Sequence, residues 1–176
     1  MPILTGEFVP CLVIQNDSRD EWHDSVRPQH NPEKLTPAQL RDIVREAGIV
    51  GLGGAAFPTH VKYAVPEGKS IQSVIINGAE CEPYLTSDYR LMLEAPELII
   101  RGLQYIMKMV NCNQGIIAIE DNKMDAYELM REKALPYEHI SVVACKTKYP
   151  QGSEKQLIYA CTGKELPFGK LPLDLG

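Results

Sequence analysis

The chain has 176 residues, of which 44 % are hydrophobic and 23 % are charged, a composition typical of a globular protein with one sizeable core. Its formal net charge is −5, and no run of lysines and arginines interrupts that balance, which argues against nucleic acid as a partner. No apolar stretch approaches the roughly 20 residues that cross a bilayer, and the first residues lack the pattern of a signal peptide. We therefore expect no direct membrane span and a cytoplasmic location.

The five cysteines are scattered along the chain, and no two of them have a CxxC or comparable ligand spacing. Neither a disulfide framework nor a complete zinc or iron–sulfur site is predicted from such a distribution. We expect most of them to be reduced thiols in the core and no metal to be bound. They are Cys11, Cys81, Cys112, Cys145 and Cys161.

The first 35 residues differ in pattern from the remainder. Residues 6–17, "GEFVPCLVIQND", read as one β-strand, and a polar stretch without helical or alternating period follows. No second strand follows that could pair with it nearby. We interpret residues 1–35 as the tail of a preceding β-rich domain with its linker, and residues 36–176 as the main domain of what we expect to be a longer protein.

The main domain begins with a capped helix. Thr36 is placed to cap it, Pro37 suits its first position, and Gly48 stands where a glycine commonly follows the last turn. Beyond it, buried strands alternate with helices, a pattern that predicts an α/β, Rossmann-like and largely parallel sheet with helices on both faces. The predicted strands are 73–80, 115–121 and 140–147, and the helices are 85–94, 95–110, 122–135 and 153–163.

A glycine-rich loop, "GIVGLGGAAFPTHVK", follows the first helix. Its small residues allow several backbone N–H groups to converge on an anion such as phosphate, with Lys62 close behind. It is not the dinucleotide fingerprint, because no strand precedes it and the spacing is GxGG. A tight turn without a ligand is an equal alternative from these residues alone, and Phe57 is either a core plug or a flat surface for a ring.

Polar residues follow each predicted strand, where parallel α/β sheets bind ligands. "NGAECEP" places Glu80 and Glu82 after the first strand, as acid/base groups, metal ligands, acceptors for ribose or ring N–H groups, or simply a solvated acidic turn. Cys81 lies between the two acids, which disfavours its thiolate and a nucleophilic role. "EDNK" follows the second strand. In "YPQGSEK" after the third, Ser153 is placed to cap a helix, and Glu154 is a ligand contact or an ordinary first-turn acid.

Four long motifs together resemble one family. The segments "GLGGAAFPTHVK", "INGAECEPYLTSDYRLM", "IEDNK" and "KYPQGSEKQLIYACTGKELPFGKLP" resemble the C subunit of the Rnf electron-transport complex, almost unbroken from Thr36 to the end. That protein is in turn similar to the NADH-oxidising, FMN-bearing subunit of respiratory complex I. The complex I pattern has an arginine at Leu52, an aspartate at Ala79 and a glutamate at Ser153, so this chain departs from it at three positions.

The resemblance implies a set of ligand-binding residues. The glycine-rich loop and Lys62 would line the FMN phosphate and ribityl chain, Asn77 and Glu80 would address the flavin, and Gly152 would leave room for the ligand. Phe57, Glu82 and Glu154 would face the nicotinamide nucleotide. The implied cofactor-binding residues are Gly51, Gly53, Gly54, Ala55, Phe57, Lys62, Asn77, Glu80, Glu82, Gly152 and Glu154.

The resemblance also implies an activity and partners. The chain would be the FMN- and NAD(H)-binding core of a ferredoxin:NAD⁺ oxidoreductase subunit, peripheral on the cytoplasmic side of the cell membrane, in an ion-translocating complex with other Rnf subunits. Two iron–sulfur clusters are implied for the full-length subunit but not for this chain, which we expect to be inactive alone. The alternatives are a soluble relative such as a cobalamin reductase, or a non-catalytic docking scaffold.

Overall fold

The structure is a computed structural model that describes residues 8, 10, 12–27, 31–52 and 56–176. The chain divides into two compact units, Met1–Pro32 and Glu33–Gly176. In the first unit, the strand predicted over residues 6–17 is absent from the described residues 12–17. The side chains of Leu12, Val13 and Ile14 are at least 78 % exposed, so this apolar run is not packed against other described residues. Whether the unit belongs to a β-rich domain stays a prediction.

The second unit contains a three-stranded parallel sheet in the order β1-β2-β3. Every residue of the central strand is buried, as expected for a parallel strand covered on both faces. The strands are β1, Val74–Gly78; β2, Gly115–Glu120; and β3, Ile140–Cys145.

Six α-helices are described in this unit. They are α1, Pro37–Glu46; α2, Thr59–Lys62; α3, Ser87–Glu94; α4, Pro96–Met109; α5, Met124–Ala134; and α6, Glu154–Thr162. Short 3₁₀ helices are found at Pro32–Lys34 and Pro172–Asp174. The sequence predicted each α-helix except the single turn α2. Among the described residues, no helix is long and apolar enough to cross a bilayer.

Side-chain alternation along the strands divides the core between the two faces of the sheet. On one face, Ile117 and Ile119 pack with Leu103 of α4 and Met130 of α5. On the opposite face, Ala118 and Cys145 pack with residues of α6. The predicted α/β fold with helices on both faces is therefore confirmed.

Local signals place the helix ends that surround the glycine-rich loop. Thr36 and Gln39 form a reciprocal capping box at the start of α1, as the sequence predicted for Thr36. Gly48 follows α1 with a φ of +66°, a conformation that favours glycine. Ser153 precedes α6 with an extended backbone, but its side chain makes no capping hydrogen bond. The serine cap predicted for α6 is therefore wrong in its side-chain part.

The described cysteines are free thiols, two of them buried and two partly buried. Cys145 of β3 and Cys161 of α6 share the smaller core cluster. Burial is the main cause that raises the pKa of Cys161 to about 12, which keeps it a neutral thiol. Cys11 lies outside the described residues.

Candidate functional site

The loops after β1 and β3 meet at the carboxyl edge of the sheet. The side chain of Asn77 donates a hydrogen bond from Nδ2 to the carbonyl oxygen of Gly152, at 2.8 Å. A Cβ atom at Gly152 would lie only 2.9 Å from the carbonyl oxygen of Ala79, so a glycine is needed for this close approach. The two loops come from the two edge strands, and they contact each other beyond the end of the central strand.

The loop after β2 is tied to the loop after β3. The backbone N–H and the hydroxyl of Thr147 both donate to Oδ1 of Asp121, at 2.9 and 2.6 Å. The backbone N–H of Asn122 donates in turn to the Thr147 hydroxyl at 3.1 Å. The hydroxyl bond and then the backbone bond hold the pKa of Asp121 below its usual value. All three loops are thus connected at one edge, as the alternation of strands and helices predicted.

Glu80 is the buried acid of the turn after β1. Its Oε1 accepts from the backbone N–H of Asp88 at 2.8 Å, and its Oε2 accepts from that of Tyr89 at 3.1 Å. These amides lie in the first turn of α3, whose N-cap residue, Thr86, supplies no side-chain bond, so Glu80 caps the helix from outside it. Burial alone would raise the pKa of Glu80, but these bonds and that from Lys123 outweigh it and hold the pKa below its ordinary value.

Sequence reasoning missed three buried polar residues at the same edge. Lys123 places its ammonium 3.2 Å from Oε2 of Glu80 and 3.9 Å from Oε2 of Glu120. Both carboxylate oxygens of Glu120 and the Nε2 atom of Gln151 are buried without a hydrogen-bond partner among the described residues. The signal was present in "IEDNK", where an acid ends a fully apolar strand and a lysine follows three residues later.

The described part of the glycine-rich loop is closed by backbone pairing. Val50 and Pro58 form an antiparallel bridge, and Gly51 N–H donates to the carbonyl oxygen of Phe57 at 2.9 Å. A Cβ at Gly51 would lie 3.4 Å from the ammonium nitrogen of Lys62, so this side chain folds back toward the loop. Phe57 is 46 % exposed and is therefore not a core plug. Gly53, Gly54 and Ala55 lie outside the described residues.

The predicted site residues thus form two described groups. One comprises Gly51, Phe57 and Lys62 around the glycine-rich loop; the other comprises the predicted residues at the carboxyl edge of the sheet. Within the second group, Glu82 and Glu154 are exposed, whereas Glu80 is buried. The Cys81 thiol lies 3.8 Å from Oε2 of Glu82. No set of three or more His, Cys, Asp or Glu side chains suited to a metal ion is found among the described residues.

A family of FMN-binding domains matches most of this chain. The family is described as the Nuo51 FMN-binding domain of complex I, and its model matches residues 44–176. The chain belongs to this family. The match includes the glycine-rich loop, the sheet and all three loops at its carboxyl edge.

The chain is also similar in sequence to curated proteins of one kind. The chain is 49 % identical over 166 residues to the C subunit of the proton-translocating ferredoxin:NAD(+) oxidoreductase complex of Clostridium ljungdahlii, covering 94 % of this chain and 36 % of the relative. It is 46 % identical to the Na(+)-translocating counterpart of Acetobacterium woodii, covering 99 % of this chain and 40 % of that relative. The predicted resemblance to Rnf-type C subunits is confirmed. The chain spans less than half the length of these curated relatives.

Solved structures agree on the fold. A crystal structure of an NAD⁺-reducing NiFe hydrogenase in the air-oxidised state matches with a TM-score of 0.62 and 25 % identity, covering 73 % of this chain and 24 % of that one. The H₂-reduced state matches with a TM-score of 0.59.

The residues of the two groups fit a flavin nucleotide in their chemistry. Gly51 leaves free the space beside the Lys62 ammonium that a Cβ would fill, which suits a backbone approach to phosphate. At the sheet edge, Gln151 has a buried amide nitrogen without a partner among the described residues, and Glu82 and Glu154 offer exposed acceptors. A flavin mononucleotide carries a phosphate and a polar ring edge, and the described residues of the two groups offer an ammonium and polar side chains of complementary chemistry.

Proposed function

We propose that this chain is the FMN- and nicotinamide-nucleotide-binding core of a subunit of an ion-translocating ferredoxin:NAD⁺ oxidoreductase. The observation that carries the proposal is the family match over residues 44–176, which includes both groups of site residues. The names of the relatives support the class of complex. In such a complex the chain is peripheral, on the cytoplasmic side of the membrane, and its partners are the other subunits and NADH.

The proposed roles divide between the two groups. Backbone amides of the glycine-rich loop, with Lys62, hold the phosphate and ribityl chain of FMN. At the sheet edge, Asn77 addresses the flavin and Gly152 leaves room for it, while Glu82, Glu154 and Phe57 face the nicotinamide nucleotide. The loop residues are Gly51, Gly53, Gly54 and Ala55.

Glu80 acts on the site indirectly in this proposal, by holding the turn after β1 in place. Its oxygens are already used by two amides of α3 and by Lys123, so little acceptor capacity remains for a ligand. Its contacts hold the turn between β1 and α3 against the start of α5. We therefore treat Glu80 as a positioning residue for the turn that carries Glu82.

The chemistry proposed for the site is hydride exchange, which FMN supplies when it is bound beside a nicotinamide ring. The chain's residues bind both nucleotides, orient their rings and set the local electrostatics. No side-chain acid or base is needed for the hydride itself, so none is assigned as catalytic.

FMN titration tests the proposal. Saturable quenching of FMN fluorescence is expected with the wild-type chain. Gly51→Ala should weaken binding at least tenfold while leaving the thermal melting curve unchanged, because the nearest atom to the new Cβ is the flexible end of Lys62, at 3.4 Å. Gly102→Ala in α4 is the matched control, since its Cβ meets nothing within 4 Å and binding should be unaffected. Absence of FMN binding by the wild type would favour the docking scaffold.

NADH binding is tested separately at the acidic turn. With FMN bound, titration with NADH should give a saturable heat of binding in isothermal titration calorimetry. Glu82→Gln should raise the NADH concentration needed without changing the FMN dissociation constant. Glu132→Gln, an exposed acid near the end of α5, is the control. Equal weakening of both ligands by Glu82→Gln would assign Glu82 to the flavin or to the fold.

A further inference from the structure

Three charged side chains are buried together at the carboxyl edge of the sheet. The Lys123 side chain is 10 % exposed, and those of Glu80 and Glu120 are 4 % and 0 % exposed. Lys123 precedes α5, Glu120 is the last residue of β2, and Glu80 follows β1. We call these residues the buried charge triad.

The three charges are not equally compensated. Glu80 accepts two backbone amides in addition to the Lys123 ammonium. Both oxygens of Glu120 lack a hydrogen-bond partner among the described residues, and its ion-pair contact there is with Lys123 at 3.9 Å. With all three groups ionised, the triad carries one net negative charge, because the Lys123 ammonium compensates one of the two carboxylates.

Stability alone does not account for such an arrangement. Burying an ion pair commonly costs as much solvation free energy as the attraction returns, so apolar residues would serve a core at least as well. The triad lies instead where the three loops meet, at the edge at which α/β sheets bind ligands. A charge shielded from water also acts over a longer distance than one on the surface, since the effective dielectric constant is lower.

We propose that Lys123 is a positioning residue that, through its ion pairs with Glu80 and Glu120, sets the reduction potential of the flavin. This inference rests on the proposed function, because it requires FMN at this edge. Reduction adds negative charge to the flavin. The Lys123 ammonium favours the reduced form, and the Glu120 carboxylate opposes it. The ammonium also joins the turn after β1 to the end of β2.

A redox titration of FMN bound to the chain measures this effect. Lys123→Met keeps the aliphatic stem and removes the charge. A unit charge acting over roughly 10 Å at an effective dielectric constant of about 20 changes an equilibrium about tenfold. The ratio of the dissociation constants of reduced and oxidised FMN should rise by that factor, which lowers the midpoint potential by about 30 mV for a two-electron couple.

Two further variants keep the test decisive if Lys123→Met folds poorly. Glu120→Gln is nearly isosteric, and it should raise the midpoint potential by a similar amount. The double variant restores the net charge of the triad and should return close to the wild-type value. Lys133→Met is the matched control, because Lys133 pairs with Glu97 at the far end of α5 and should leave the potential unchanged.

The outcomes separate the two proposals. FMN binding by the wild type with opposite shifts in Lys123→Met and Glu120→Gln supports the inference. FMN binding with equal midpoint potentials in all variants overturns the inference and leaves the proposed function standing. Absence of FMN binding by the wild type overturns both.

Discussion

At Glu80, a single carboxylate serves the fold and the candidate site together. It caps α3 from seven residues before the helix begins, and it pairs with Lys123 from the next loop. Glu82, two residues along, is exposed, and within the described part of the chain its carboxylate accepts from the Cys81 thiol. The acidic turn is therefore divided into one acid that holds the structure and one that is available to a ligand.

Removing the charge of Glu80 should destabilise the protein. Glu80→Gln loses charge-assisted bonds to α3 and leaves Lys123 partly uncompensated, so we expect the free energy of unfolding to fall by about 2 kcal/mol at pH 7. Urea unfolding of the wild type and the variant measures this difference in free energy. Glu94→Gln, an exposed ion-pair partner of Arg90 on the same helix, should cost less than about 0.5 kcal/mol.

The effect of Glu80→Gln on stability should depend on pH. The pKa of Glu80 is lowered from an unfolded-state value of 4.5, so its stabilising contribution is present above pH 4.5 and is lost as the pH falls through the lower folded-state pKa. The difference in stability between wild type and Glu80→Gln should therefore shrink below pH 4.5. A difference that stays constant down to about pH 3 would contradict the assignment of a stabilised carboxylate.

The loop after β3 contacts both of the other loops at the carboxyl edge of the sheet. It contacts the loop after β2 through Thr147 and the loop after β1 through Gly152. The central strand between them is buried along its whole length, including Glu120 at its end. The geometry of the edge therefore depends on the loop after β3 more than on any single strand.

Substitution of Gly152 tests whether the edge depends on the loop after β3. Gly152→Ala would place its Cβ 2.9 Å from the backbone carbonyl oxygen of Ala79, which cannot move without displacing the end of β1. We expect a loss of about 1–3 kcal/mol of stability, as for other overpacked sites, together with weaker FMN binding. Thermal unfolding and FMN titration measure the two effects. An unchanged melting curve would show that the two loops do not hold each other.

The sequence predicted the elements of the main domain because their signals are local. The apolar strands 73–80, 115–121 and 140–147 alternate with amphipathic helices, and Thr36 and Gly48 mark the ends of α1. The sequence-based predictions were wrong or incomplete where tertiary contacts determine the structure. Residues 12–17 have a strand-like composition, but their apolar side chains are exposed and pair with no other described residue. Glu80 caps α3 from outside the usual N-cap position, and its ion pair with Lys123 joins loops distant in sequence. The charges of "IEDNK" are therefore visible in the sequence, but the partner of Lys123 across the sheet edge is not.

Across the main domain, the candidate site consists of two groups of residues that one ligand would connect. The glycine-rich loop follows α1, and the acidic residues follow strands of the sheet. The family match includes both, and the chain spans less than half the length of the relatives named above. We propose that FMN binds across the glycine-rich loop and the three loops at the carboxyl edge.

Hydrogen–deuterium exchange with and without FMN tests whether the ligand contacts both groups. We expect slower exchange on FMN binding in residues 49–62 and in the loops after β1, β2 and β3, with no change in α4 or in the loop of residues 65–71. Protection confined to other segments, or saturable FMN binding without protection in residues 49–62, would contradict it.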